Sequence, residues 1–184
     1  AVGSLALDAN TTANNNTAVG YQSLGACTTG AENVALGHSS ADALTTGDKN
    51  VAVGGDAMGA RTGGDRNTAI GNYCMANGAS TGDQNTAAGD NALRSVTTAN
   101  SNTAIGCEAA YHTTTGGGNA VVGYQALHTA TTNNYMTAMG FQALYDSTGN
   151  NNTAFGYRAG YEISTGVANV CVGDQAHVTA TTGN

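Results

Sequence analysis

Proline and tryptophan are absent, phenylalanine occurs twice, and charged residues make up only 9% of the 184-residue chain. Each shortage excludes something. Too few large aliphatic and aromatic side chains are present to fill the core of a compact enzyme of this length. No stretch of about 18 apolar residues occurs, so no segment inserts into a membrane as a helix. Five Lys+Arg against twelve Asp+Glu give a net charge of −7 and leave no basic stripe for a phosphate backbone, which argues against nucleic acid as a partner. Collagen is excluded by the missing proline and by glycines that do not recur every third residue.

What the chain does have is 33 Ala, 27 Gly, 27 Thr and 21 Asn. Gly, Asn and Thr form helices poorly, and no 3.6-residue apolar stripe appears, so a helical bundle is not expected. Low charge with low hydrophobicity would ordinarily read as disorder. An internal repeat overrides that reading. An Ala-aliphatic-Gly tripeptide or close variant places its glycine at Gly3, Gly20, Gly37, Gly54, Gly71, Gly89, Gly106, Gly123, Gly140, Gly156 and Gly173, at intervals of 17 residues except for one of 18 and one of 16.

Aligned on this period, the tile reads Asn-Thr-Ala-Val-Gly-Tyr-Gln-Ala-Leu, a variable stretch, then Thr-Thr-Gly and two polar residues. Position one is Asn at Asn16, Asn33, Asn50, Asn67, Asn85, Asn102, Asn119, Asn152 and Asn169, with Met136 the single break. Position three is almost always Ala, and position eight is always small. Position four carries Val19, Leu36, Val53, Ile70, Ala88, Ile105, Val122, Met139, Phe155 and Val172.

Seventeen residues are too few for a βαβ unit or a propeller blade, but they suit one coil of a parallel β-solenoid. The expected fold is therefore all-β, about eleven 17-residue coils, each strand pairing with its equivalent one tile later. At about 4.8 Å per coil the rod is roughly 50 Å long. The repeat glycine marks a corner where positive φ or close packing is needed. The Asn column is expected to stack, amide on amide.

Because strands alternate faces, positions three and four point opposite ways. If the Ala column fills a narrow interior, the aliphatic column must be buried elsewhere. The expectation is that three chains pack the stripe Val19, Leu36, Val53, Ile70, Ile105, Val122, Met139, Phe155 and Val172 around a common axis. The alternative is a wider monomeric coil with position four inside.

The run from Asn16 to Ser23, or from Asn102 to Ala109, resembles the head repeat of trimeric autotransporter adhesins of the YadA-like kind. Tyr124-Gln125-Ala126-Leu127 and Phe141-Gln142-Ala143-Leu144 are similar to the repeat arrays of bacteriophage tail fibres, and Tyr21-Gln22 matches in part. The resemblance covers the whole chain. It implies a left-handed parallel β-roll, a homotrimer, a place on a virion or extracellular surface, and a structural or adhesive role rather than catalysis. A longer tile and its Thr-Thr-Gly segment lean the reading towards a tail-fibre shaft, with other fibre or virion proteins and a host-surface glycan as further partners. The chain, 1–184, reads as a single repetitive segment, a slice of a longer fibre. A surface adhesin head that binds a receptor directly is the first alternative, and an ice-binding solenoid the second.

Chemistry is sparse. Cys27, Cys74, Cys107 and Cys171 fall at four different tile positions, so intrachain disulfides are not expected and the cysteines read as small residues replacing Ala or Ser. A contact between chains at one level of a trimer stays open. His38, His112, His128 and His177 read as scattered surface residues without metal-ligand spacing. Gly63-Gly64-Asp65 and Gly116-Gly117-Gly118 are only fragments of a calcium-binding nonapeptide pattern. No nucleophile motif, cofactor signature or metal site is read from the sequence. Tyr21, Tyr124, Phe141 and Tyr157 at position six, and Tyr111, Tyr145 and Tyr161 at position ten, form aromatic columns that either stack on sugars or, the preferred reading, cover coil corners. Thr29, Thr46, Thr98, Thr115, Thr132, Thr165 and Thr182 share position fourteen, the candidate ice-binding column. Its variable flanks, Arg61 and Val96 among them, argue against a uniform lattice.

Overall fold

The structure is a computed structural model that describes residues 1–177 and the backbone of Thr179–Ala180. No helix occurs among the described residues, and none is long and apolar enough to cross a membrane. One three-residue strand falls in each coil: β1 Thr17–Val19, β2 Val34–Leu36, β3 Val51–Val53, β4 Thr68–Ile70, β5 Thr86–Ala88, β6 Thr103–Ile105, β7 Ala120–Val122, β8 Thr137–Met139 and β9 Thr153–Phe155. A short strand β10 (Glu162–Ile163) precedes β11 (Val170–Val172), and β12 (Thr179–Ala180) pairs with β10. Strands β1 to β9 and β11 form one ten-stranded parallel sheet in chain order, and Val2 bridges to Val19 one level beyond it. The chain is a parallel β-solenoid.

Like residues stack on like. Ala18 pairs with Ala35, Ala35 with Ala52, and so on to Ala154 with Cys171. The two irregular intervals leave this register intact: Ala69 still faces Ala87, and Ala138 faces Ala154. The extra residue of the 67–84 coil is absorbed at Gly78-Ala79, where Gly78 turns with φ 91°. The 136–151 coil loses its residue just before Gly149, which still accepts a hydrogen bond from Asn133 of the coil below. Length changes therefore fall in turns, where no ladder has to be broken.

The repeat glycines turn the corner after each strand with φ between 123° and 140°, a region closed to residues with a side chain. A Cβ on Gly54 would strike the carbonyl of Gly71 one coil on. Tight winding also needs left-handed backbone at non-glycine residues. Positions seven, nine and seventeen repeatedly take φ from 48° to 61°, as at Gln22, Leu24 and Glu32. The coil-to-coil hydrogen bonds made by these residues hold the uncommon conformation, for example Gln22 N–H to Ser4 O at 3.0 Å and Leu24 N–H to Ser40 O at 2.9 Å.

The interior is wider than a pair of alanine walls. The position-three Ala column is buried as expected, but so are Leu24, Met58, Met75, Leu93, Leu127 and Leu144 at position nine and Leu44, Val96 and Ile163 at position twelve. Position four lies outside: Leu36, Ile70, Ile105, Met139 and Phe155 are 39–47% exposed, and Val19, Val53 and Val122 are half-buried. The wider coil with position four inside is thereby overturned. The core is filled from the turn segments, whose left-handed residues point leucines and methionines inward, and the strand is left free to face its aliphatics outward.

Candidate interaction surface

Three kinds of column run along the rod: internal polar ladders, an outer aliphatic stripe, and outer aromatic stacks. The internal Asn ladder is structural. The Asn85 side-chain amide donates to Asn67 Oδ1 (3.1 Å), Asp83 O (3.2 Å) and Ala99 O (2.8 Å). Its Oδ1 accepts from both the backbone N–H and the side-chain amide of Asn102, each at 3.1 Å. The same arrangement recurs at Asn33, Asn50, Asn67 and Asn152. Each amide satisfies the carbonyl at position fifteen, which would otherwise be buried without a partner. At Met136 the ladder is repaired by its neighbours: Asn133 and Asn152 both donate to Gly149 O, at 2.9 and 3.2 Å.

Position eight adds a second inner ladder. Ser23 and Ser40 donate to Ala35 O (3.0 Å) and Ala52 O (2.9 Å), and Cys74 takes the same place against Ala87 O at 3.5 Å. Burial pushes the Cys74 thiol up to about 12. All four cysteines are free, with Cys27, Cys74 and Cys171 buried. The threonine ladder lies one position earlier than expected. Thr28, Thr45, Thr97 and Thr114, at position thirteen, donate to the next coil's Thr carbonyl at 2.7–3.2 Å. The position-fourteen column, Thr29, Thr46, Thr98, Thr115, Thr132 and Thr165, is exposed, and Thr182 lies outside the described residues. Arg61 and Val96, expected on its flanks, are instead fully buried.

The outer face of the ten-stranded sheet carries position two (Thr17, Thr68, Thr103, Thr137 and their equivalents) beside the position-four stripe. This face is continuous from Val19 to Val172, and nothing else in the described chain covers it. Leu36, Ile70, Ile105, Met139, Phe155 and Val172 are all exposed large apolar side chains.

Around the glycine corner the aromatic columns stack on themselves. At position six, Tyr124, Phe141 and Tyr157 lie 5.2 and 5.5 Å apart and within 20° of parallel. At position ten, Tyr111, His128, Tyr145 and Tyr161 follow at 5.2, 5.1 and 5.0 Å. Arg94 caps one end over Tyr111 at 5.8 Å, and Arg158 caps the other over Tyr161 at 4.0 Å. The interior rings spend their faces on each other and turn edges to solvent, whereas sugar stacking needs an open face. Between the columns, Gln142 donates to Gln125 (2.8 Å) and Gln125 to Glu108 (2.7 Å). Of the histidines, His38, His112 and His177 are exposed, but His112 and His128 are not scattered: their rings lie 5.3 Å apart. His128 sits within the stack, 3.5 Å from Glu108, with the His112 ring edge-on to it. Burial and His112 lower its pKa against the opposing pull of Glu108.

Toward the N-terminus the same face changes character. Position ten shrinks to Gly25, Gly59 and Ala76 or becomes Asp42, leaving shallow grooves of ≈ 220 and ≈ 210 Å³ that share Asp42. Burial raises the Asp42 pKa, with the nearby Asp56 adding to it. No group of three His, Cys, Asp or Glu able to hold a metal occurs among the described residues. Asp65 of the Gly63-Gly64-Asp65 turn instead accepts the Asp48 backbone N–H at 2.9 Å, one step in an outer coil-to-coil ladder.

No family model matches the chain, and no curated protein or solved structure matches it either.

Proposed function

We propose that this chain is the shaft of a trimeric extracellular fibre, of the kind carried by bacteriophage tails, and that its work is mechanical. One observation carries the reading: an apolar stripe on the outer sheet face, 39–47% exposed at Leu36, Ile70, Ile105, Met139 and Phe155 and narrowed only at Ala88, from Val19 to Val172. A stripe of that length is unusual on a monomer and suits burial against like copies. Three copies related by rotation about the rod axis place each level of the stripe opposite its own equivalent, so the 17-residue register within one chain also sets the register between chains. The result is a stiff spacer on a virion or cell surface, joined at its ends to other fibre or virion proteins.

Mass measurement in solution tests the reading. The expected mass is three chains, and Ile70→Asp combined with Ile105→Asp is expected to shift it to one chain, because charge replaces apolar contact at two levels. A stable, folded monomer of the unaltered chain rejects the trimer. The adhesin alternative draws on the exposed Tyr124, Phe141 and Tyr157, which continue the apolar surface round the corner beside Val122, Met139 and Phe155. Loss of cell or glycan binding on their replacement by Ser, with the trimer intact, would favour it.

A further inference from the structure

Arg61 is the one long cationic side chain inside the core. It is 0% exposed, at position twelve, in the column that holds Leu44 one coil below and Val96 two coils above. The coil between is the 18-residue one. There Gly78 and Ala79 bulge outward and are exposed, so that coil sends no position-twelve side chain inward. Arg61 occupies the level instead. Its Nη2 donates to Gly82 O at 2.5 Å, a carbonyl already bonded by the Asn67 amide at 2.9 Å.

The rest of the guanidinium has no partner: Nε and Nη1 are buried and unbonded. Among the described residues no carboxylate lies within ion-pair distance of Arg61, and Asp83 acts on it only as a more distant charge. Guanidinium has donors and no acceptor, so the methyls of its column neighbours Leu44 and Val96 cannot satisfy it. Burial lowers its pKa to about 10, which still leaves it charged at neutral pH. A buried cation with one shared hydrogen bond costs several times what a paired one does. The missing partner must be an acceptor, small enough for a packed interior, and negatively charged if it is to neutralise the group.

We propose that Arg61 binds a small inorganic anion of halide size inside the solenoid, through Nε and Nη1, at the level of the 18-residue coil. The anion completes the core where the repeat is irregular. This inference is independent of the fibre reading, since a monomer or a trimer would hold the ion equally.

Two measurements test it. The first soaks crystals of the unaltered chain in bromide and reads the anomalous difference map. A peak within hydrogen-bonding distance of Arg61 Nε or Nη1 is expected; a water there, or bromide only on the surface, overturns the proposal. The second compares thermal unfolding in sodium chloride and in sodium gluconate at equal ionic strength. Chloride at about 100 times Kd is expected to raise Tm by about 7 °C. Arg61→Met, whose apolar side chain suits a column that holds Leu44 and Val96, is expected to lose that chloride effect while staying folded. An equal chloride effect in both proteins overturns the proposal. Should Arg61→Met not fold, the bromide map decides alone.

Discussion

The N-terminal and C-terminal halves of the rod share an interior and differ outside. Within, Asn50 and Asn152, Ala52 and Ala154, and Met58 and Leu144 occupy the same buried columns, and both asparagine amides donate to their own coil's position-fifteen carbonyl. Outside, positions six and ten read His38, Gly55, Asn72 and Asp42, Gly59, Ala76 in one half, but Tyr124, Phe141, Tyr157 and His128, Tyr145, Tyr161 in the other. One half offers a shallow acidic groove, the other a double aromatic stack. Columns that hold the coil together are thus uniform, and columns that meet solvent are free to vary. Position four is the exception. It is outside, yet aliphatic in both halves, and a surface column under interior-like constraint is what a partner copy would impose.

The comparison can be broken hardest at the glycine corners. Gly71→Ala and Gly140→Ala each force a Cβ into the next coil's carbonyl at φ near 136–140°. Both are expected to cost about 4 kcal/mol or more, equally in the two halves, measured by denaturant unfolding. The Asn ladder comes next. Asn85→Ala leaves the Ala99 carbonyl and the Asn102 backbone N–H buried without partners, and a loss of about 3 kcal/mol is expected. Asn152→Ala is expected to lose about as much, because it leaves the Gly166 carbonyl and the Asn169 backbone N–H without partners in the same way.

Alkaline titration gives a smaller effect, led by the Cys74 thiol, with burial raising Cys27, Cys107 and Cys171 in the same direction. The Cys74 thiol ionises near its ordinary value of 9 when unfolded but only near 12 when folded, so the folded state holds more protons between those limits. Stability therefore falls as pH rises above 9, by up to about 1.4 kcal/mol per unit from this thiol, and Cys74→Ala is expected to reduce the slope without abolishing it. Arg61 acts in the opposite sense from pH 10 upward, since its folded pKa is depressed and the unfolded state then holds the extra proton. The Cys74 effect is thus cleanest between pH 9 and 10.

The smallest effects lie in the outer columns. Tyr145→Ala removes two stacking contacts and is expected to cost about 1–2 kcal/mol, whereas Asp42→Asn at the equivalent position, half-exposed and isosteric, should change stability by less than about 0.5 kcal/mol. His128 makes the aromatic half acid-sensitive. Its folded pKa lies below the ordinary 6.5, so stability present above that value is lost as pH falls, and His128→Phe is expected to abolish the dependence in an unfolding titration.

Much of this was legible in the sequence because a repeat tests itself. Each column is sampled ten times, so Asn at position one, Ala at position three and Gly at position five stood out against the variable stretch. The filling of the core did not. Leu24, Met58 and Leu93 sit at position nine, whose inward direction depends on left-handed backbone at non-glycine residues, a conformation with no residue signature. The bonding threonines were misplaced by one residue for the same reason: in a tight turn, successive side chains do not follow the alternation of a strand. Arg61 looked like a surface residue because most arginines are, and its burial follows from a bulge in a different coil.

The chain alone settled that equivalent residues would stack into columns at a 17-residue period, since only a parallel ladder lets identical short segments satisfy one another's backbone groups coil after coil. Which columns face inward was decided by the closed path of each coil. That path depends on where the turns reverse the chain, and the turns are held by contacts to the coils above and below rather than by any local preference.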